Sequence, residues 1–432
     1  MKESIQRTSF VILCLLATIL PVCVAGQQNL DSAGIRLYEK KEITWGVLYR
    51  AHKEREELFT ANSKQYEQIS MGEVKFRLSS RHWNFLDFKQ EELELNLDAG
   101  PLWGNGNWID STYNNNNVAD HSIVGLRFNV ALNYANRFYY SDKSYTLIQL
   151  NANARYDLFR KHSEGNSIDS NGVSTDFDVK SNQTKFRSGF TARAGWGLGR
   201  LNPVNHLMVV DYLFDNYYKG RTFSMEETND VVHKIEEIKN GRNALAGHNN
   251  DKESAQIVEL LNHQMFLTRP ENFGKEWKFG EFLPRFSGSR LEFGPFFSYY
   301  NREPDFVYGG YIQYGNDKYC NYKWNRKFNV GAKYNWYKEQ DLIMAEIELG
   351  WSYFIKLKSQ FDFGLKYIPG VTLKSIDKPG KLNHGFIPYI GYFSQINEAT
   401  RLNFACALRI SENKEIMLPG PEFSISVYRS RY

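Results

Sequence analysis

Residues 124–134 read VGLRFNVALNY, with an apolar side chain at every second position. Val124 and Leu126 fall on one face of this stretch, whereas Arg127 and Asn129 fall on the other. Because successive side chains of a strand point to opposite sides of a sheet, the pattern predicts a β-strand with one apolar and one polar face. Long strands of this kind, repeated along a chain, are typical of a barrel that crosses a membrane.

The same alternation recurs along the whole chain. We expect about 14 strands, with about 12 and 16 as the limits, because strand boundaries are hard to place from one sequence. The predicted fold is all-β, an antiparallel transmembrane β-barrel with a small α-helical insert. The other alternating segments are 43–50, 72–80, 92–98, 148–156, 185–198, 289–300, 307–316, 328–336, 343–353, 361–367, 385–395, 402–410 and 422–431.

The composition agrees with a strand-rich protein and excludes a bundle of membrane helices. The 432 residues are 42% hydrophobic and 15% aromatic, and aromatic side chains suit a pleated sheet better than a helix. A mean hydropathy of -0.52 excludes a bundle of membrane helices, each of which needs about 20 mostly apolar residues. The formal net charge of +4 gives no electrostatic argument for binding nucleic acid.

A soluble β-sandwich also alternates, so it is the alternative fold. Aromatic residues such as Tyr134, Trp336 and Tyr353 favour the barrel, because they fall at strand ends where the interfacial girdles of membrane barrels lie. Closure of a barrel also removes the exposed edges that so many strands would otherwise present.

The N-terminus has the features of an export signal. Lys2 and Arg7 precede an apolar run over 10–20, and small residues end at Ala25, after which we expect cleavage. A short buried helix is the alternative for this segment. Cys23 could instead mark a lipid anchor, but the residue before it is not small, which argues against lipidation.

Cleavage would remove Cys14 and Cys23 and leave two cysteines, Cys320 and Cys406. The two could join in a disulfide in an exported protein, or both could be free and buried. The spacing of cysteine and histidine in the chain matches no zinc motif.

The sequence resembles the outer-membrane β-barrel proteins of Gram-negative bacteria. The resemblance rests on the export signal, the amphipathic strands and a last strand that ends on the aromatic residue Tyr432, and the Asn- and Tyr-rich style is similar to barrels of the Bacteroidota. It is a resemblance to a class, porin-like, and to no single family. It implies an outer-membrane location, contact with outer-membrane lipid and a transport role.

The alternation is interrupted over 201–275, where helices are predicted. Asn202 and Pro203 indicate the first turn of one helix. Two further helices, one ending near Asn240 and one beginning after Asp251, are indicated by apolar residues at helical spacing. These residues are Val231, Val232, Ile235 and Ile238, then Ile257, Val258, Leu261, Met265 and Phe266.

Strand parity predicts on which side of the membrane each segment lies. About six strands, an even number, precede the insert. If the mature N-terminus is periplasmic, the chain is therefore back in the periplasm where the insert begins. The same parity makes the polar segments 100–121 and 159–183 external loops. The predicted parts of the chain are a signal peptide (1–25), a first part of the barrel (26–200), a periplasmic helical insert (201–275) and a second part of the barrel (276–432).

Charges of both signs lie on the polar faces of the predicted strands, which would point into the barrel. They could border a water-filled lumen whose field selects small polar solutes, or they could pair and fill the lumen as in narrow barrels. The residues that we expect to line the lumen are Glu92, Glu94, Asp98, Arg127, Arg155, Arg187, Arg193, Glu346 and Glu348.

The predicted external loop 100–121 contains flat aromatic side chains beside amides and a carboxylate. Trp103, Trp108 and Asp110 could capture a sugar or a peptide there. The alternative is that these aromatic residues fold the loop into the barrel mouth.

Motifs for catalysis or metal binding are missing from the sequence, and we expect no enzymatic activity, no cofactor and no metal site. Asp120, His121 and Ser122 cannot form a triad alone, because adjacent residues of a strand point to opposite faces. Residues 167–178 resemble a calcium loop only in spacing, since the first and last ligands are missing. Ordinary polar roles are expected for the histidines of the predicted helices, namely His206, His233 and His263.

The function that these observations favour is a porin-like channel for small polar solutes. The alternative is a non-conducting structural barrel whose periplasmic insert binds an envelope partner. An unpaired lumen would favour the channel, whereas a tightly paired lumen and an exposed apolar patch on the insert would favour the docking barrel. A secreted enzyme or sandwich ranks third.

Overall fold

The computed structural model describes residues 38–60, 63–112, 115–169, 171–218, 222–242, 249–263, 273–274, 277, 285–301, 305–337, 340–374, 380, 382–397, 399–411 and 417–431. The chain forms 14 antiparallel strands that close into one barrel, with a helical insert between the sixth and seventh strands. Each strand pairs with the next along the chain, and the first pairs with the last. The predicted fold class is confirmed.

The strands and helices are as follows. The first seven strands are β1 (Tyr38–Thr60), β2 (Ser63–Leu86), β3 (Lys89–Thr112), β4 (Asn115–Tyr139), β5 (Ser144–Asp169), β6 (Ser174–Pro203) and β7 (Phe286–Tyr300). The others are β8 (Phe306–Asn321), β9 (Trp324–Tyr337), β10 (Gln340–Lys356), β11 (Ser359–Lys374), β12 (Leu382–Gln395), β13 (Thr400–Ser411) and β14 (Gly420–Arg431). The helices are α1 (Asn205–Tyr217), α2 (Met225–Asn240) and α3 (Asn250–His263).

The outer surface of the barrel is apolar. On β4, Val124, Leu126, Phe128 and Val130 are between 44% and 65% exposed, although each is a large hydrophobic side chain. Leu93, Leu95, Leu97, Phe293, Ile312, Ile343 and Val427 continue this exposed belt on other strands. A lipid bilayer covers a belt of this kind on membrane barrels.

The two ends of the barrel differ. Short turns join β2 to β3, β4 to β5, β8 to β9 and β10 to β11 at one end, where β1 also begins and β14 ends. The helical insert leaves β6 and enters β7 at this same end. We call it the insert end, and we call the opposite end the far end.

Six strands extend beyond the closed wall at the far end. β1 pairs with β14 only over 43–51, and β6 pairs with β7 only over 189–203. The outer parts of β1 to β6 continue to pair with each other and form a sheet above the rim, which we call the extension. Its inner face has a small buried apolar cluster of Ile69, Met71, Leu102, Ile123 and Phe159.

The prediction of long external loops at 100–121 and 159–183 is wrong, because most of these residues belong to the strands of the extension. Both faces of the extension carry polar residues, so the alternation that marks lipid-facing strands is weak there. The turn of the β5–β6 hairpin contains Gly172, whose φ of 78° suits glycine. Asp169 Oδ1 accepts hydrogen bonds from the backbone N–H groups of Asn171 and Val173, so this stretch forms a turn.

The start of the first helix was also predicted wrongly. Asn202 and Pro203 end β6, where Pro203 lies opposite Phe286, and α1 begins at Asn205. The backbone N–H of Val204 donates to the carbonyl of Arg285, so pairing with the start of β7 continues to the helix.

Several predictions fall outside the described residues. They concern the signal peptide over 1–25 with its cysteines, the terminal Tyr432, and the helical residues Met265 and Phe266. Cys406 is free, so it is not joined to Cys320.

Candidate functional site

The lumen of the barrel is lined by charged side chains that pair along the wall. Arg77 donates from Nε and Nη2 to the two carboxylate oxygens of Asp98, at 2.6 and 2.8 Å. Arg81 Nε donates to Glu94 Oε1 at 2.8 Å. Because β2 and β3 are neighbours, these pairs lie along the wall and do not cross the lumen.

A larger ion-pair cluster lies toward the far end. Arg127 donates to Asp157 at 2.8 Å, to Glu73 at 2.8 Å and to Glu54 at 3.0 Å. Arg155 donates to both oxygens of Glu54 and to Asp157. β1, β2, β4 and β5 thus contribute to one cluster that is charge-assisted throughout, and such hydrogen bonds are stronger than neutral ones.

A cavity of about 490 Å³ lies beside this cluster. It is polar on most sides and includes residues of β1, β2, β3, β4, β5, β6, β13 and β14. The residues that line it are Leu48, Arg50, Glu54, Lys75, Arg77, Asp98, Arg127, Asn129, Asn153, Arg155, Arg187, Asn403, Ser424 and Ser426. We call it the upper cavity.

A second cavity of about 430 Å³ lies toward the insert end, and we call it the lower cavity. Glu92, Arg290 and Glu292 contribute to its lining. Arg137 of β4 donates to Glu292 of β7 at 2.7 Å and to Glu92 of β3 at 2.9 Å, so its contact with β7 crosses the inside of β5 and β6.

The remaining wall carries fewer charges. Lys366 lies 3.3 Å from Glu346 and 3.8 Å from Glu348, and Glu348 also pairs with Lys327 at 3.2 Å. Arg193 lies over the Tyr311 ring, 5.3 Å from its centroid.

Four of the residues expected to line the lumen, Asp98, Arg127, Arg155 and Arg187, line the upper cavity, and Glu92 lines the lower one. Glu92 and Glu94 do not pair with Arg127 or Arg155, although all four residues were expected to line the lumen; they pair with Arg137 and Arg81 instead. Strand register explains the difference, because Arg127 lies opposite Gly100 whereas Glu92 lies opposite Ala135.

Sequence reasoning missed several charged residues of the site. Arg77 and Arg81 lie four residues apart on β2, so their side chains share one face of the strand. They lie directly opposite Asp98 and Glu94 of β3. Their spacing is visible in the sequence, but the register that brings them opposite the acids is not. The other missed residues are Arg50, Glu54, Glu73, Arg137 and Asp157.

The helical insert covers the barrel mouth at the insert end. Its three helices form a buried apolar cluster around Leu207, Val231, Ile235 and Ile257. The same cluster includes side chains of the barrel from β8, β10 and β12 and from the β10–β11 turn, and Tyr428 of β14 packs against it. These barrel residues are Tyr319, Phe354, Leu357 and Phe393.

Polar contacts also join the insert to the barrel. The Tyr319 hydroxyl donates to Asp211 Oδ2 at 2.6 Å, and the Tyr322 hydroxyl donates to Asp215 at 2.6 Å. The backbone N–H of Glu39 donates to Asn240 Oδ1 at 3.1 Å. The insert therefore touches the mouth on β1, β8, β10, β12 and β14.

Burial raises the pKa of Asp211 to about 6, although the Tyr319 hydroxyl and the nearby Arg285 act in the opposite direction. Burial also lowers the pKa of Arg285 to about 10. The Arg285 guanidinium stacks on Phe354, 3.5 Å from the ring centroid, which stabilises a cation that has lost most of its water.

The expected external-loop site of Trp103, Trp108 and Asp110 is corrected by the structure, because all three residues lie in β3. Trp103 and Trp108 are five positions apart, so they point to opposite faces of the sheet. Trp103 stacks near Tyr49 on the outer face, whereas Trp108 packs beside Phe177 on the inner face.

Metal-binding clusters of histidine, cysteine and carboxylates are absent from the described residues. His121 is buried, and its Nε2 lies 3.1 Å from Glu67. In the described part of the chain, none of the helices is long and apolar enough to cross a membrane.

Comparison with known proteins gives little beyond the fold. No protein-family model and no curated protein matches the chain. Similar solved structures include the transport unit of the autotransporter AIDA-I from Escherichia coli (9% identity, 96% of each chain covered, TM-score 0.30). Others are the translocator domain of the autotransporter NalP from Neisseria meningitidis (8%, 100% of this chain and 98% of that chain, 0.28) and the Pseudomonas putida toluene transporter TodX (8%, 90% and 89%, 0.34). Similarity at this level carries no argument about the function of this chain.

Proposed function

We propose that this chain is an outer-membrane β-barrel channel for small polar solutes, and that its helical insert closes the periplasmic mouth. The observation that carries the proposal is a polar lumen with cavities of about 490 and 430 Å³ behind a cover of three helices. The proposal includes no enzymatic activity.

The orientation follows from the ends of the barrel. Barrels of the bacterial outer membrane have short periplasmic turns and longer external segments. At the insert end all strand connections except the insert itself are short, whereas the far end carries the extension, so we assign the insert to the periplasm. The apolar belt between the two ends would contact outer-membrane lipid.

The helical insert is held against the barrel mouth by buried apolar side chains and a few polar contacts. Val231 and Ile235 of α2 are fully buried in the cluster that joins the insert to the mouth. An aspartate at either position would bury a charge without a partner, which costs far more than the contacts it replaces. Such substitutions should release the cover while leaving the strand pairing of the barrel unchanged.

Single-channel recording in a planar bilayer tests this function. We expect small or rare currents from the wild type and larger, longer openings from the Val231→Asp/Ile235→Asp variant. The matched control Met225→Asp/Gln256→Asp adds the same number of charges at exposed positions of the insert and should behave like the wild type. Altered migration of unboiled protein in gels confirms that each barrel is folded.

The second candidate is a non-conducting barrel whose insert binds an envelope partner. The extensive ion pairing of the lumen favours it, because paired charges can fill a barrel. If the folded Val231→Asp/Ile235→Asp variant carries no current, the channel is refuted and this candidate replaces it.

A further inference from the structure

We infer that the upper cavity is a binding site for small oxyanions, that is, solutes that carry carboxylate or phosphate groups. This inference rests on the proposed channel function and names the class of solute that the channel would select. It follows from the charge of the cavity wall and from which groups of that wall reach the cavity.

The wall of the upper cavity is strongly cationic. Among the described residues, two acidic side chains line it, Glu54 and Asp98. Their charge is outweighed by six basic side chains on the same wall, namely Arg50, Lys75, Arg77, Arg127, Arg155 and Arg187. The potential inside a cavity with low-dielectric walls follows the sign of its lining, so anions should concentrate there.

Three arginines of the wall are more exposed than the carboxylates that pair with them. Arg77 is 39% exposed, whereas its partner Asp98 is 2% exposed. Arg50 is 37% exposed, compared with 25% for its close partner Glu422, and Glu73, 4.0 Å away, is fully buried. Arg187 is 31% exposed, compared with 21% for Glu54. In each of these pairs the guanidinium group is therefore the more exposed partner.

Neutral donors complete the wall. Asn129, Asn153 and Asn403 line the cavity with Ser424 and Ser426, and amide and hydroxyl groups can donate to an oxyanion. Planar guanidinium groups match carboxylate and phosphate geometry through two parallel hydrogen bonds. A volume of about 490 Å³ lies within the range of about 300–1,000 Å³ that small-ligand sites occupy.

Two of the arginines can be removed without leaving a carboxylate unpaired. Glu422 contacts both Arg50 and Arg409, so it keeps a partner in an Arg50→Gln variant. Glu54 contacts Arg187 at 3.8 Å but has shorter contacts with Arg127 and Arg155. The Arg50→Gln/Arg187→Gln variant should therefore fold. The matched control is Arg160→Gln/Lys180→Gln, which removes two exposed charges from the extension.

Isothermal titration of the folded, detergent-solubilised full chain tests the inference at low ionic strength. The probes are citrate, inorganic pyrophosphate and, as the opposite charge, spermidine. We expect saturable binding of citrate or pyrophosphate and none of spermidine. The Arg50→Gln/Arg187→Gln variant should bind at least about tenfold more weakly, since a charge-assisted hydrogen bond contributes about that factor. The control should bind like the wild type.

Three results would overturn the inference: no saturable anion binding by the wild type, equal binding of spermidine, or an equal loss in the control variant. The binding test and the conductance test can fail independently of each other. A protein that conducts but binds neither anion refutes the anion site alone. One that binds them but never conducts, even as the Val231→Asp/Ile235→Asp variant, refutes the channel while the anion site stands.

Discussion

At the scale of single residues, arginine determines the character of the lumen. Arg77 holds Asp98 with two hydrogen bonds and remains the more exposed partner. Arg127 contacts three carboxylates, of which Glu73 is fully buried. Since an arginine stays charged at any physiological pH, the positive surface that these side chains present does not depend on pH.

Docking of the insert should depend on pH through the carboxyl group of Asp211. Its pKa is about 6 in the folded protein and 3.8 ordinarily, so protonation favours the docked insert. The stabilisation is complete below about pH 4 and is lost as the pH rises through about 6, with an upper limit of about 3 kcal/mol for this shift. Tyr319 and Arg285 are the titratable groups that face it.

Limited proteolysis of the insert in detergent at pH 4.5 and pH 7.5 measures this effect. The wild-type insert should be cleaved more slowly at pH 4.5. The Asp211→Asn side chain carries no charge at either pH. For this variant, the difference in cleavage rate between the two pH values should shrink to the difference that the protease itself shows on an unfolded substrate. An unchanged pH difference in Asp211→Asn would show that another group controls docking.

At the scale of elements, the extension should be dispensable for folding of the barrel. Deletion of 161–182, with a short turn in its place, removes the outer β5–β6 hairpin but keeps all pairing between β6 and β7. The variant should still change its gel migration on boiling. Deletion of 297–308, which removes wall residues of β7 and β8, should abolish that behaviour. Loss of the barrel in the first variant would mean that the extension is needed for closure.

The elements also show which features can be read from sequence. All 14 strands were predictable because one face of each contacts an apolar surrounding and the other does not. The extension was predicted as loops because Gly104, Gly106 and the asparagines near 114–117 are typical of loops and because neither face is uniformly apolar. The charge pairs were not predictable in detail, since a pair such as Arg81 with Glu94 depends on strand register.

At the scale of the whole molecule, the two ends of the barrel have different tasks. At the far end, the outer parts of β1 to β6 project beyond the rim as the extension. At the insert end, the helical insert covers the mouth. A solute from the far end would meet the upper cavity first and the lower cavity next to the cover. Movement of the insert should therefore control passage.

A reversible cross-link between the insert and the wall tests that claim most directly. The backbone N–H of Glu39 contacts the Asn240 side chain, so cysteines at these two positions can be joined by a short, reducible bis-thiosulfonate linker. Cys320 and Cys406 are replaced by serine beforehand. Planar-bilayer current is recorded at pH 7.5, first in the linked state and then after a reductant is added. If the insert controls passage, we expect no openings while the linker is intact and openings once it is cleaved. The same current before and after cleavage would contradict control by the insert.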